Sequence, residues 1–253
     1  MSIWLFLAVS LGINMAMFLV AYKRQTDKLT DISYALTFIT IAIFGLLVSS
    51  VQAYHMLAMI LVAVWAARLG GFLLYRIRKT GKDSRFDAMR SNFWTFGKFW
   101  LLQGVSVWVI MLAGSLVFLN PNMRLNVLSI VGIAVWAIGV LLEAFADMQK
   151  YRFTSNAQNK GKWIDEGLWH YSRHPNYLGE MLVWIGFYIF ALPLLHGWQI
   201  WVGAISPLYI MSLLLFVSGI PILEKQADDR WGNKKEYQLY KRTTGLLIPK
   251  FKH

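Results

Sequence analysis

The sequence predicts an all-α integral membrane protein of seven transmembrane helices, with the N-terminus outside and the C-terminus cytoplasmic. Three observations lead there. Apolar residues make up 57% of the 253-residue chain, against about 45–50% in soluble domains. Charge-free runs recur at bilayer-crossing length, which takes roughly 20 residues rising about 1.5 Å each. The basic residues fall almost wholly on one side of the resulting topology.

The elements follow in order. Residues 1–22 carry no charge and predict a span over 3–22. Its basic residues, Lys23 and Arg24, follow the apolar stretch, so it reads as an N-out anchor and not a cleaved signal peptide. Residues 32–75 carry only Arg68 and hold two spans, 32–49 and 52–75, turning near Ser49 and Ser50. The runs 99–123 and 125–142 predict spans over 99–119 and 125–149. The run 181–223 completes two more, 176–193 and 199–221, with a turn from Pro193 to Gly197. Beyond them, Gly232 and Asn233 split 222–251 into two short helices. There Trp231, Tyr237 and Tyr240 mix with charges, as in an interfacial segment.

Of the 25 Lys and Arg, all but Arg68 and Arg124 lie in loops on one side, which the positive-inside rule assigns to the cytoplasm. The net charge of +12 is thereby explained by topology and anionic lipid. Membrane lipid is the expected partner and nucleic acid is not. The chain has no cysteine, which removes disulfides, a thiolate nucleophile and any Cys-based metal site. No repeat or low-complexity tract interrupts it, so a single polytopic domain over 1–253 is expected.

Polar chemistry gathers at the expected cytoplasmic ends of spans five, six and seven and in the 76–90 loop. The densest stretch is GLWHYSRHPNYLGEML, residues 167–182. Pro175 disfavours helix at His174 and suits the first turn of a helix starting near Asn176. The backbone N–H groups of that terminus suit a phosphate, and Arg173 stands just ahead of it. Tyr177 and Glu180 follow on one face, with Glu180 about a turn into the span, where a lone carboxylate is costly. Glu143 and Asp147, four apart, share a face at the end of span five.

Two blander readings compete. Arg173 and Glu180 could simply neutralise each other. His170 and His174 are spaced for a metal, but Pro175 interrupts a helix through both and no HExxH is present. No metal site is expected. RLGGF at 68–72 is not a GxGxxG fingerprint and lies within a span.

LEAFADMQKYRF, GLWHYSRHPNYLGEMLVWIGF and SGIPILEKQADDRW…EYQLYKRTTGLLIP together resemble the steroid 5α-reductase superfamily, closest to its bacterial branch described as DUF1295. AARLGGFLLYRIRKTGKDSRFDAMR and Asp31 fit the same branch, so the resemblance covers roughly 27–250. RHPNYxGE alone also resembles sterol reductases and isoprenylcysteine carboxyl methyltransferases. The resemblance implies a seven-helix reductase of a bacterial inner membrane, with NADPH held in a cytoplasm-facing cavity of its C-terminal half. Residues 121–253 would then form the cofactor half and 1–120 the substrate side. It implies cofactor contacts for Asp147, Tyr171, Asn176, Glu180 and Tyr240. Arg173 and His174 match the sterol-reductase form of the element, and Tyr177 belongs to it. Arg68, Arg76 and Arg85 stand where the family places bases near the cofactor.

One departure concerns substrate. Steroid 5α-reductases grip a 3-oxo group with a glutamate in span two and a tyrosine in span three. Here those spans carry no acid, and Trp65 stands in the tyrosine's place. Tyr54 and His55 are the polar residues assigned to carbonyl polarisation or proton supply. The expected function is therefore NADPH-dependent reduction of an activated C=C in a lipophilic, steroid- or isoprenoid-like substrate. The alternatives are an S-adenosylmethionine-dependent membrane methyltransferase and a non-catalytic lipid-binding relative.

Overall fold

A computed structural model describes residues 2–80, 89–121 and 124–250. All regular elements among these are helical, and Ser172 and Gly245 form an isolated parallel bridge. The helices are α1 Ile3–Lys23, α2 Leu29–Val48, α3 Ala53–Thr80, α4 Phe93–Ile110, α5 Leu112–Leu119, α6 Val127–Ser155, α7 Leu168–Tyr171, α8 Pro175–Ala191, α9 Trp198–Ser212, α10 Ile220–Trp231 and α11 Lys235–Thr243. Among the described residues, six helical runs are long and apolar enough to cross a membrane: Ile3–Lys23, Leu29–Val48, Ala53–Ile77, Val127–Ser155, Pro175–Leu194 and Trp198–Trp231. These are the helices of an integral, multi-pass membrane protein.

The fourth expected span is broken. α4 and α5 meet at Met111 with a bend of 53°, and only counted together do they make a seventh crossing. The seventh expected span also changes character. α9 contains Pro207 and passes into a π-helical turn, Leu213–Val217, before α10. The helix breaks again at Gly219, where a β-carbon would stand 3.0 Å from the Tyr177 ring. Gly219 therefore permits the start of α10 to lie against Tyr177.

The chain divides into two compact units. One takes the residues up to Ser129 and Ala191–Ser206; the other takes Ile130–Phe190 and the chain from Pro207 onward. In the first, helices α1, α2 and α4 share a buried polar network. Gln103 donates to Asn14 Oδ1 at 2.9 Å and to Ser33 Oγ at 3.0 Å. Asn14 donates to Thr37 Oγ1 at 3.1 Å, and Ser10 donates to the Gly104 carbonyl at 2.7 Å. Lipid offers hydrocarbon no weaker than a leucine, so such bonds and close packing hold membrane helices together.

In the second unit α6 and α8 pack backbone to backbone through four glycines. A methyl on Gly139 would stand 2.6 Å from the Val183 amide nitrogen, and one on Gly179 2.6 Å from that of Glu143. Gly132 and Gly186 meet the opposite helix in the same way, against Phe190 and Trp136. Both pairs repeat every seven residues, so one stripe of each helix faces the other. This contact carries the end of α6 alongside the start of α8.

Candidate functional site

Pro175 opens α8, and the chain just before it is held from outside the helix. Arg173 N–H donates to the Gly245 carbonyl at 2.8 Å and His174 N–H to that of Leu246 at 3.2 Å. The Tyr171 carbonyl accepts from the amides of Gly245, at 3.2 Å, and Lys250, at 3.0 Å. Thr244 Oγ1 donates to the His170 carbonyl at 3.2 Å. The 244–250 segment thus fixes the backbone of the polar stretch.

An aromatic group stands beside it. Trp163 lies 5.3 Å from Tyr237 and 6.1 Å from Trp231, ring centre to ring centre, and Tyr237 lies 6.2 Å from Tyr240. Tyr240 donates its hydroxyl to the Trp169 carbonyl at 2.9 Å, and Trp169 donates its indole N–H to that of Ala146 at 3.0 Å. Lys150 Nζ lies 4.6 Å from the centre of the Trp169 ring. Burial, with the nearby Glu224 and Asp228 charges, pushes the Tyr237 hydroxyl up to about 12. Burial raises Tyr240 as well. Both tyrosines therefore stay protonated.

Glu224 on α10 lies at the centre of the charges. It accepts from Arg173 Nη1 on one oxygen and pairs with His174 Nε2 at 2.8 Å on the other. Lys241 Nζ stands 3.5 Å from Glu224 and 2.7 Å from Asp228. His174 stacks on Tyr177 with centroids 5.7 Å apart and planes at 12°. Burial lowers the His174 pKa, and the Glu224 hydrogen bond and charge offset this only in part. The ring is then neutral at pH 7. A carboxylate only accepts, so the proton stands on Nε2 and Nδ1 is an acceptor. His174 Nδ1 and Arg173 Nε are both buried and have no hydrogen-bond partner among the described residues.

One turn further on, Asn176 donates to Asp147 at 3.2 Å across the α6–α8 contact. Glu180 follows Asn176 by one turn, half-buried, and Glu143 is buried one turn before Asp147.

The structure thus gathers Asp147, Tyr171, Arg173, His174, Asn176, Tyr177, Glu180 and Tyr240 in one unit. Arg173 takes Glu224 as its ion-pair partner. Arg68 and Arg76 lie on α3 in the other unit, where Arg76 stands 3.8 Å from Asp31. Arg85 lies outside the described residues.

Tyr54 and His55 both hydrogen-bond to the backbone near the end of α5. Tyr54 donates to the Asn120 carbonyl at 2.7 Å. His55 Nε2 lies 3.1 Å and 3.2 Å from the carbonyls of Val117 and Asn120, and its Nδ1 accepts from Gln52 N–H at 3.1 Å. The two rings serve buried carbonyls at the end of α5, where the last turn lacks the donors of a following turn; the Val117 carbonyl also accepts from Asn120 N–H at 3.2 Å. They also start α3, whereas Arg76 nears its end, roughly 33 Å away along a helix of this rise.

Glu224 and Lys241 are the residues the sequence reading passed over. A signal existed: Glu224 is the first charge after the long apolar run 181–223, and Arg173 is the last basic residue before it.

Fold and site together define a polytopic helical membrane protein with a partly buried ionic cluster at the mouth of one span. Its sequence matches the family described as "Protein of unknown function (DUF1295)" over residues 17–244, and the chain belongs to that family. It is also similar to an uncharacterized protein of Schizosaccharomyces pombe, 30% identical over 89 residues. That similarity covers 33% of this chain and 23% of the yeast protein. No solved structure matches.

Proposed function

We propose that the chain is a membrane-embedded NADPH-dependent reductase of the steroid 5α-reductase superfamily, acting from the cytoplasmic face on a lipophilic enone-like substrate. The observation that carries the reading is the pair of unsatisfied buried atoms, Arg173 Nε and His174 Nδ1. A buried polar group without a partner costs about 1–3 kcal/mol. A ligand offering an anionic or carbonyl oxygen to Arg173 and a hydroxyl or amide donor to His174 would relieve both, and a phosphorylated ribose or a nicotinamide amide has those groups. The residues present therefore fit the cofactor. NADPH, when bound, supplies the hydride.

Each side chain has a definable task. Arg173 and Lys241 bring positive charge for phosphate, and Glu224 sets the geometry of the first. Asn176, fixed by Asp147, keeps its own carbonyl oxygen for a ligand amide. Tyr237 and Tyr240 supply flat, uncharged faces. Tyr54 and His55 are assigned to holding α5, and the group that polarises the substrate is not taken from them.

Titration of the purified protein with NADPH, followed by tryptophan fluorescence, tests this. Saturable binding weakened at least tenfold by Asn176→Ala or Arg173→Ala supports the reading. Saturable S-adenosylmethionine binding with indifference to NADPH would overturn it in favour of a methyltransferase. Affinity for neither would leave a non-catalytic lipid-binding relative.

A further inference from the structure

The segment that fixes the polar stretch has a second face. α11 turns Tyr237 and Tyr240 inward and leaves Lys235, Leu239 and Arg242 exposed on one stripe, at spacings of four and three. Leu246, Ile248 and Lys250 continue outward beyond it, with Leu239 62% and Ile248 79% exposed. From Lys234 to Lys250 the chain carries five basic residues and a single acid, Glu236. Lone aliphatic side chains ringed by bases are poorly suited to water and well suited to an anionic lipid surface, where the chains enter the headgroup layer and the bases meet phosphate. The stripe follows directly on the membrane-crossing run Trp198–Trp231, so a bilayer surface is within its reach.

We propose that this stripe docks on the anionic lipid of the membrane that holds the protein, and that docking steadies the ligand site. The link is direct and short. Leu246 and Lys250, which lie in the exposed segment, hydrogen-bond through their backbones to His174 and Tyr171. Ordering 239–250 on lipid orders the backbone from Tyr171 to His174 with it, whatever ligand that site takes. Each basic residue near an anionic surface contributes about fivefold to partition, so three give roughly a hundredfold.

The chain has no cysteine, so single labels are unambiguous. Full-length Leu239→Cys and Ile248→Cys proteins, spin-labelled, would be placed in phosphatidylcholine discs with or without phosphatidylglycerol. Lipid-borne relaxation agents should reach both labels in the anionic discs. The contact should fall at least tenfold in neutral discs and when Lys235, Arg242 and Lys250 are all changed to Glu. Hydrogen exchange at the amides of Arg173, His174 and Gly245 should quicken in the same conditions. Unchanged exposure of both labels to an aqueous agent in every disc overturns the docking. Lipid contact without any change in exchange overturns the coupling. Neither readout uses NADPH, so failure here is distinct from failure of the reductase reading.

Discussion

Gly139 on α6 and Gly179 on α8 pack backbone against backbone: a methyl on Gly139 would stand 2.7 Å from the Gly179 carbonyl oxygen. No flexible side chain can give way there, so any added atom must part the helices. Gly139→Ala should lower stability by about 1–3 kcal/mol, the range for overpacking. Gly12→Ala is the control, since its β-carbon would meet nothing within 4 Å. It should be neutral or slightly stabilising, because alanine is the better helix former. Thermal melting in detergent compares them. Equal melting points would show that the glycine stripe does not hold α6 to α8.

Glu224 joins Arg173, His174 and Lys241. Glu224→Gln keeps the shape and removes the charge, leaving Arg173 without its ion-pair acceptor. A fully buried pair broken in this way costs about 3–5 kcal/mol. The side chains here are 14% and 19% exposed, so about 2 kcal/mol is expected. Asp229→Asn, at an exposed position, should change melting little. A Glu224→Gln protein as stable as the parent would remove Glu224 from the centre of the cluster.

His174 gives a pH dependence with a definite sign. Its pKa is lowered in the fold, while the unfolded chain takes up the proton near the ordinary value of about 6.5. Between those two values the unfolded state binds more protons. Stability should therefore be full above about pH 6.5 and decline as pH falls through the window beneath it. His174→Gln, which can still donate to Glu224, should flatten that part of the profile. Melting curves across mildly acidic pH would show a persistent slope in the variant if another group were responsible.

Tyr54→Phe removes the hydroxyl that the Asn120 carbonyl accepts from. A loss of about 1 kcal/mol is expected, with the NADPH affinity unchanged. A changed affinity would show that Tyr54 also bears on the cofactor.

In the first unit, Gln103→Leu deletes donors to Asn14 and Ser33. Hydrogen bonds between membrane helices average about 0.6 kcal/mol and reach about 1.7. The upper part of that range is expected, since the contacts with Asn14, Ser33 and the Thr30 carbonyl are all lost and Asn14 Oδ1 is left buried. A melting point equal to the parent's would show the network to be replaceable by packing.

Much of the fold was legible. Charge-free runs set where helices cross, and the turns at Ser49 and at Gly197 fell where polar and glycine residues interrupt them. Pro175 marked the first residue of α8 because its ring fits only the first helical turn. The bend at Met111 had no such mark: no charge or proline interrupts the chain from Phe99 to Leu119, so composition sees one span where the chain makes two pieces. The four glycines were visible as letters, but only the facing of two helices gives them meaning.

The candidate site divides in the same way. Arg173, His174, Asn176 and Glu180 stood out because polar groups at the mouth of a membrane span are costly unless used. That Arg173 would take Glu224 as its ion-pair partner was not readable, since the two lie 51 residues apart. Tyr54 and His55 looked like free polar groups until the end of α5 was seen to need them.

The sequence by itself determined that this chain is helical, enters a membrane repeatedly and concentrates its charges at a few span ends. Hydrophobicity and charge act locally, residue by residue, on partition between lipid and water, so a linear reading captures them. The tertiary structure decided which charges meet. Pairing depends on helix rotation and path, and here the backbone contact of Gly139 with Gly179 and the breaks at Leu213–Val217 and Gly219 set both. Those are relations between distant segments, and they turn a polar stretch into a cluster around Glu224.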